Sequence, residues 1–214
     1  MAGIFITFEG DDGVGKSTHV GILADSLRAM GFDVLCLREP GNTRIGEALR
    51  ALLLDAANTE MADECELLIY EAARAQMVRE VLLPALDAGK VVICDRFTDS
   101  TCAYQAAGRG LDAGFVDAVN AFATDGVRPD LTVLMELPDG AERARRIQER
   151  GEADRLELAG EGFHERVSRA FRSLPDAHPE RVVRIATADD AEATAQRVLD
   201  AVCARIPEIG GRCG

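Results

Sequence analysis

Long apolar runs are missing from this chain of 214 residues. None approaches the roughly 20 residues that a helix needs to span a bilayer, so no membrane partner is expected. The opening MAGIFITFEG lacks the basic start and extended apolar stretch of a secretory signal. It reads instead as a short strand running into a loop, and the cytoplasm is the expected compartment. A surplus of positive charge is missing too: 24 Lys and Arg face 37 Asp and Glu, a net charge of -13. That balance argues against wrapping duplex nucleic acid. It leaves room for a small anionic ligand, because a local arginine cluster can overcome the global sign. Metal-site spacing is absent as well. The six cysteines, at 36, 65, 94, 102, 203 and 213, form no CxxC, and His19, His164 and His178 stand apart. Reduced thiols, several of them buried in strands or helices, are expected rather than a zinc site or a disulfide framework.

The pattern that is present is α/β. A composition of 47% hydrophobic and 29% charged residues reads as soluble and globular, and the length suits one domain over 1–214 with a full core, or a domain with a small lid. Near-continuous apolar runs of strand length recur at 3–9, 33–39, 90–96, 130–136 and 181–186, as expected for strands buried on both faces. Helical stretches separate them, at 16–30, 44–56, 63–88, 112–124, 139–150, 162–173 and 189–206. This alternation implies a parallel sheet covered on both sides. Gly31 and Gly89 suit helix C-caps, and Asp189 and Asp190 suit the N-cap of the last helix. The tail IGGRCG is expected to fray. No internal repeat or low-complexity block interrupts the pattern.

The motif that carries chemistry is FEGDDGVGKSTHV, residues 8–20. Gly10 to Ser17 reads G-x-x-x-x-G-K-S between a strand and an amphipathic helix, the context that a phosphate loop requires. Gly10, Gly13 and Gly15 let the backbone fold around phosphate oxygens, and the N–H groups of 13–18 face the anion with the helix N-terminus; the expected ATP seat runs from Gly10 through Asp11, Asp12, Val14 and Lys16 to Thr18. Lys16 would reach the β and γ phosphates of ATP, and Ser17 would ligate Mg²⁺. Asp95, closing the run VVICD on a strand parallel to the first, is the second metal candidate. No N-K-x-D base reader of a switch GTPase occurs. A second feature is AERARRIQERGEADRLE, residues 141–157, dense in arginine. It reads either as a solvated helix face with pairs such as Glu142–Arg146 or as a mobile basic lid.

With these motifs stand REPGNT (38–43), YEAAR (70–74), DRFTDSTCAYQ (95–105) and RGEADR (150–155). Together they resemble the thymidylate kinase family over nearly all of residues 3–205. Small departures are Asn42, Phe97 and Ser17, where Gly, Tyr or His, and Thr are common. The resemblance implies a P-loop nucleoside monophosphate kinase fold, with a five-stranded parallel sheet in the order 2-3-1-4-5 and a lid near 141–157. It implies transfer of the γ-phosphate of ATP to dTMP, with Mg²⁺, in an enzyme that is usually a homodimer. On the acceptor side it places Arg96 on the dTMP phosphate. Arg50 is a second phosphate contact or a plain solvated arginine, and Glu39 lies in the acceptor loop that Pro40 starts. Tyr70 stacks on the base or packs in the core. Arg74 donates to the thymine O4, Thr101 and Gln105 hold the pyrimidine edge, and Tyr104 lies beneath the sugar 2′ position. Asp12 occupies the loop-carboxylate position facing the sugar 3′-OH, while Asp11 is read as solvated and lending only its backbone. One class of the family carries an arginine inside the loop; Gly13 places this chain in the class that uses lid arginines. Arg150 is the first choice for the clamp, with Arg146 and Arg155 in support and Asp154 orienting one of them. The apolar positions of 63–88 and 112–124 serve a dimer face or the core.

Overall fold

The structure, a computed structural model, describes residues 3–137, 140–149, 154–187 and 190–213, with the backbone alone for 141, 144, 147 and 148. Five strands form at the expected runs: β1 Ile4–Glu9, β2 Val34–Arg38, β3 Val91–Asp95, β4 Leu131–Glu136 and β5 Val182–Ala186. They pair in parallel in the order β2-β3-β1-β4-β5, as the resemblance implies. Parallel strands need crossovers, and the crossover helices cover both faces. Hence every residue of β1 is buried.

Alternate side chains of β1 serve opposite faces. Ile4, Ile6 and Phe8 join Val20, Leu23 and Leu27 of α1 Lys16–Ala29 and Val198 and Val202 of α9 Ala191–Arg205. Phe5 points the other way, among Met77, Val92 and Cys94. Each fully buried apolar side chain stabilises the fold by roughly 1.5–3 kcal/mol. Thr7 and Glu9 share the Phe5 face. Thr7 bonds Thr132 there at 2.8 Å, and Glu9 is thereby aimed at the segment that follows β3.

The remaining helices are α2 Arg44–Leu54, α3 Asp63–Met77, α4 Leu83–Asp87, α5 Thr98–Thr101, α6 Ala113–Thr124, α7 Gly140–Gln148, α8 Glu161–Ala177 and α10 Pro207–Gly210. Thr43 caps α2 by accepting from the Gly46 N–H at 2.8 Å, and Asp190 caps α9 by accepting from that of Glu192 at 2.9 Å. Asp189, the other expected cap, lies outside the described residues. Gly31 and Gly89 take left-handed φ of 86° and 76° after α1 and α4, as expected of C-caps.

Four expectations are corrected. The single helix over 63–88 is broken by a π turn at Val78–Leu82, because Pro84 has no N–H to give a carbonyl one turn back and the ladder widens before it. A further helix, α5 with a π segment at Cys102–Gly108, stands where none is expected. The tail does not fray. Helix α10 buries Ile209 completely, and the Arg212 guanidinium sits 4.3 Å from the centre of the Phe32 ring. This doubling back also carries Cys213 to Cys203, and the two form a disulfide, where reduced thiols are expected. Close approach depends on Gly210, since a Cβ there would lie 2.4 Å from the Cys203 carbonyl oxygen. Cys36, Cys65, Cys94 and Cys102 remain free. Among the described residues no helix is long and apolar enough to cross a membrane.

Candidate active site

The loop leaves the carboxyl end of β1 and re-enters the fold at α1. Gly10 and Gly15 take φ of 131° and 93°, open to glycine without strain. At Gly10 a Cβ would fall 2.2 Å from the Met135 carbonyl oxygen, so the loop lies directly on β4. Val14 anchors it in the core. Gly15, at the N-cap of α1, makes no side-chain cap, which leaves first-turn N–H groups available to an anion. Lys16 arches over the loop and donates to the carbonyls of Gly10 at 3.0 Å and Asp11 at 2.7 Å. Burial, and then the Arg96 charge, bring its ammonium down to about 8. Ser17 Oγ donates to Asp95 Oδ2 at 2.5 Å, pairing the two expected metal ligands. Thr18 is exposed.

Arg96 follows β3 in a left-handed conformation, φ 70°, with its own N–H bonded to the Phe8 carbonyl at 2.9 Å. Its guanidinium joins the loop to the opposite wall. It donates to Gly10 O at 3.1 Å, Ser100 Oγ at 2.9 Å, Asp12 Oδ1 at 2.6 Å and the Tyr104 hydroxyl at 3.2 Å. Tyr104 in turn donates to Asp12 Oδ2 at 2.9 Å. Burial opposes ionisation of Asp12, but Arg96 and Lys16 prevail and hold it well below the usual carboxylate range. Glu9 completes this wall. It accepts from the N–H of Phe97 at 2.8 Å and the hydroxyl of Ser100 at 2.6 Å. Burial, and then Asp99, push it up to about 7. Glu9 is absent from the expected site, although its even spacing from Phe5 and Thr7 on β1 places it on this face.

A cleft of about 220 Å³ opens between these groups and helix α3. It brings together Asp12, Lys16, Ser17, Glu39, Arg50, Tyr70, Arg74, Asp95, Arg96, Thr101, Tyr104, Gln105 and Asp154, all of them residues that the loop motif or the family resemblance names. Tyr70 and Arg74 share one face of α3, four residues apart. Arg74 is only 2% exposed. It bonds Glu39 Oε2 at 2.5 Å, Thr101 Oγ1 at 2.9 Å, Asn120 Oδ1 at 2.7 Å and the Phe97 carbonyl at 3.1 Å, with Glu71 as a further partner. Burial works against this cation, but Glu39 and Glu71 hold it firmly protonated. Asn120, on α6, had no local signal. Arg50 donates to the Pro40 carbonyl at 2.9 Å, which sets it at the cleft rim. Gln105 donates to Glu66 at 2.9 Å. Glu66 is fully buried, and it also accepts from Arg109 at 2.7 Å and pairs with Arg155 at 2.6 Å.

The lid region departs from expectation. Asp11 is not a solvated bystander. Its Oδ2 accepts from Arg143 on α7 at 2.6 Å and from Ser168 on α8 at 2.8 Å. Those helices fold back over the loop, bringing in partners 132 and 157 residues away in the chain. Arg146 pairs with Glu142 at 2.8 Å, the expected i,i+4 bridge. Arg155 points away from the loop, with Nε donating to Leu53 O at 3.0 Å and NH1 on Glu66. Asp154 accepts from the N–H groups of Leu156 and Glu157, both at 2.9 Å, and so shapes the turn. Arg150 lies outside the described residues.

A glycine loop running from β1 into α1, a central sheet in this order and an arginine-lined cleft facing the loop define a P-loop nucleoside monophosphate kinase. Residues 8–198 match the family model for thymidylate kinase. The thymidylate kinase of Exiguobacterium sp. is 42% identical over 211 residues, 98% of this chain and 99% of that one. That of Geobacter sulfurreducens is 47% identical over 210 residues, covering 96% and 99%. The crystal structure of thymidylate kinase from Ehrlichia chaffeensis superposes with a TM-score of 0.76 at 31% identity, over 94% of this chain and 99% of that one. The chain belongs to the thymidylate kinase family, phosphotransferases that convert dTMP to dTDP with ATP.

Proposed function

We propose that this chain transfers the γ-phosphoryl group of ATP to dTMP, giving ADP and dTDP for dTTP synthesis, in the cytoplasm. The observation that carries the reading is Arg96, whose guanidinium bonds both the loop carbonyl of Gly10 and the Asp12–Tyr104 pair of the acceptor wall. One fork thus sits where a donor on the loop and an acceptor in the cleft would meet.

ATP lies on the loop N–H groups, and Lys16 exchanges its two carbonyl partners for the β and γ phosphates. The dTMP phosphate takes Arg96, with Arg50 alongside. The base lies against Tyr70, with its edge toward Arg74, Thr101 and Gln105. Tyr104 fills the space beneath C2′, and Asp12 accepts from the 3′-OH. The acceptor is a phosphate oxygen that already carries charge, so transfer is direct and in line and needs no strong general base. Charge that develops between the two anions falls to Lys16, Arg96 and a lid arginine. Arg150 remains our proposal for that arginine, since Arg155 is committed to Glu66.

Ser17 and Asp95 fit Mg²⁺: both offer oxygen, their oxygens already lie 2.5 Å apart, and they stand beside Lys16 at the loop mouth. The bound ion would neutralise phosphate charge there.

The working form is a homodimer. Leu68 on α3 and Phe115 and Phe122 on α6 are exposed on two packed helices, Phe122 to 87%. A second copy would cover them.

The test is a coupled ADP-release assay across a nucleotide panel. dTMP should give the highest kcat/KM. A purine monophosphate winning would refute the base-site assignment, and ATP binding without dTMP-dependent ADP release would refute the transfer.

A further inference from the structure

Asp11 poses an electrostatic problem, because a carboxylate inside a polyphosphate cradle repels its ligand. The structure shows how that charge is handled. The backbone carbonyl of Asp11 accepts from Lys16 Nζ at 2.7 Å, whereas its carboxylate lines a second concavity, between the loop, α7 and α8, together with Arg143 and Ser168. There Oδ2 takes the Arg143 NH1 donor at 2.6 Å, and the Ser168 hydroxyl lies 2.9 and 2.8 Å from the two oxygens. Arg143 NH1 also reaches Ser168 Oγ at 3.3 Å. The three groups form a closed triangle drawn from three parts of the chain, and Ser168 is buried.

We propose that Arg143 and Ser168 form a clasp that turns the Asp11 carboxylate out of the phosphate seat and cancels its charge. Arg143 is then a positioning residue for donor binding, acting through Asp11 and not on the phosphates. The clasp also pins the start of α7 and the middle of α8 to the loop, so donor affinity and the seating of α7 share one ion pair. The inference rests on the reading that ATP occupies the loop.

Calorimetric titration of the enzyme with MgATP, in the absence of dTMP, tests it without depending on the acceptor assignment. R143A leaves the Asp11 charge uncancelled beside the polyphosphate, with the Ser168 hydroxyl alone on it, and should weaken ATP binding about tenfold, while KM for dTMP holds within about twofold. In the D11N background the same removal of Arg143 should change ATP affinity by less than about threefold, because the charge it served is gone. Arg143→Gln, which keeps much of the aliphatic stem, replaces R143A if the alanine variant does not fold. A full tenfold loss in the D11N background would mean that Arg143 binds phosphate itself and would overturn the clasp. Unchanged ATP affinity in the single Arg143 variant would overturn it equally.

Discussion

Arg96 and Asp12 stand 2.6 Å apart, one from the end of β3 and one from the phosphate loop. Their pairing decides what a conservative substitution can achieve. A lysine offers a point charge in place of a planar fork, and it cannot keep the bonds to Gly10, Ser100, Asp12 and Tyr104 together. Arg96→Lys should therefore lower kcat/KM by on the order of 10²–10³, read in the ADP-release assay. A loss smaller than about tenfold would remove Arg96 from the transfer step.

Arg74 carries a different kind of prediction. Its guanidinium neutralises Glu39 and Glu71 in a dry part of the fold. Arg74→Ala strands both acids, and breaking a buried pair in this way costs roughly 3–5 kcal/mol. Urea denaturation should show that loss alongside a reduced preference for dTMP over other pyrimidine monophosphates. Unaltered kinetics in the folded fraction would take Arg74 out of the base site.

For Lys16 the sign of the pH dependence follows from its lowered value of about 8, against an ordinary 10.5. Between those values the folded ligand-free protein binds fewer protons than the unfolded chain, so stability rises with pH across that window. Binding of ATP has the opposite demand, because the phosphates need the charged ammonium. ATP affinity should hold up to about pH 8 and fall above it, with proton uptake on binding. Calorimetry at pH 7 and pH 9, in buffers of different ionisation enthalpy, measures both. Affinity that is flat across this range would contradict the assignment.

Arg150→Ala should reduce kcat by roughly 10²–10³ while KM for dTMP barely moves, as expected of a group that acts on charge developing in the transition state. An unchanged kcat would exclude it as the clamp.

Phe122→Glu places a charge on the most exposed large apolar side chain of α6. Sedimentation should show a shift from dimer to monomer, with the fold retained by circular dichroism. If the parent chain sediments as a monomer, the proposed dimer fails.

Legibility from the chain followed sequence distance and helix period. Ser17 and Lys16 are read directly because the loop is contiguous, and Asp95 because a parallel strand must end beside it. Strand order and the cleft-lining residues came with the family motifs. The family motif names Thr101, Tyr104 and Gln105, but the bounds of the element that carries them are not legible, since a π ladder lacks the 3.6-residue period that marks a helix. The setting of Asp11 is not legible for another reason: Arg143 and Ser168 lie far along the chain, and no local pattern announces such partners. Asn120 sits in an otherwise unremarkable helix for the same reason. The tail IGGRCG carries no local sign of order, being small and largely polar. Its hold comes from Ile209 in the core, Gly210 and Cys213 against Cys203 of α9, and Arg212 over the Phe32 ring, a purely tertiary arrangement.

Glu66 gives the cleft a property of its own. A single carboxylate holds the Gln105 amide on one side and Arg155, at the end of RGEADR, on another. Any compound that turns the Gln105 amide toward itself strips a donor from that acid and leaves it to Arg109 and Arg155. A base analogue bound deep in the cleft would thus bear on the Arg155 contact as well, and inhibitors that differ only at the pyrimidine edge would be distinguishable by how tightly that arginine is held.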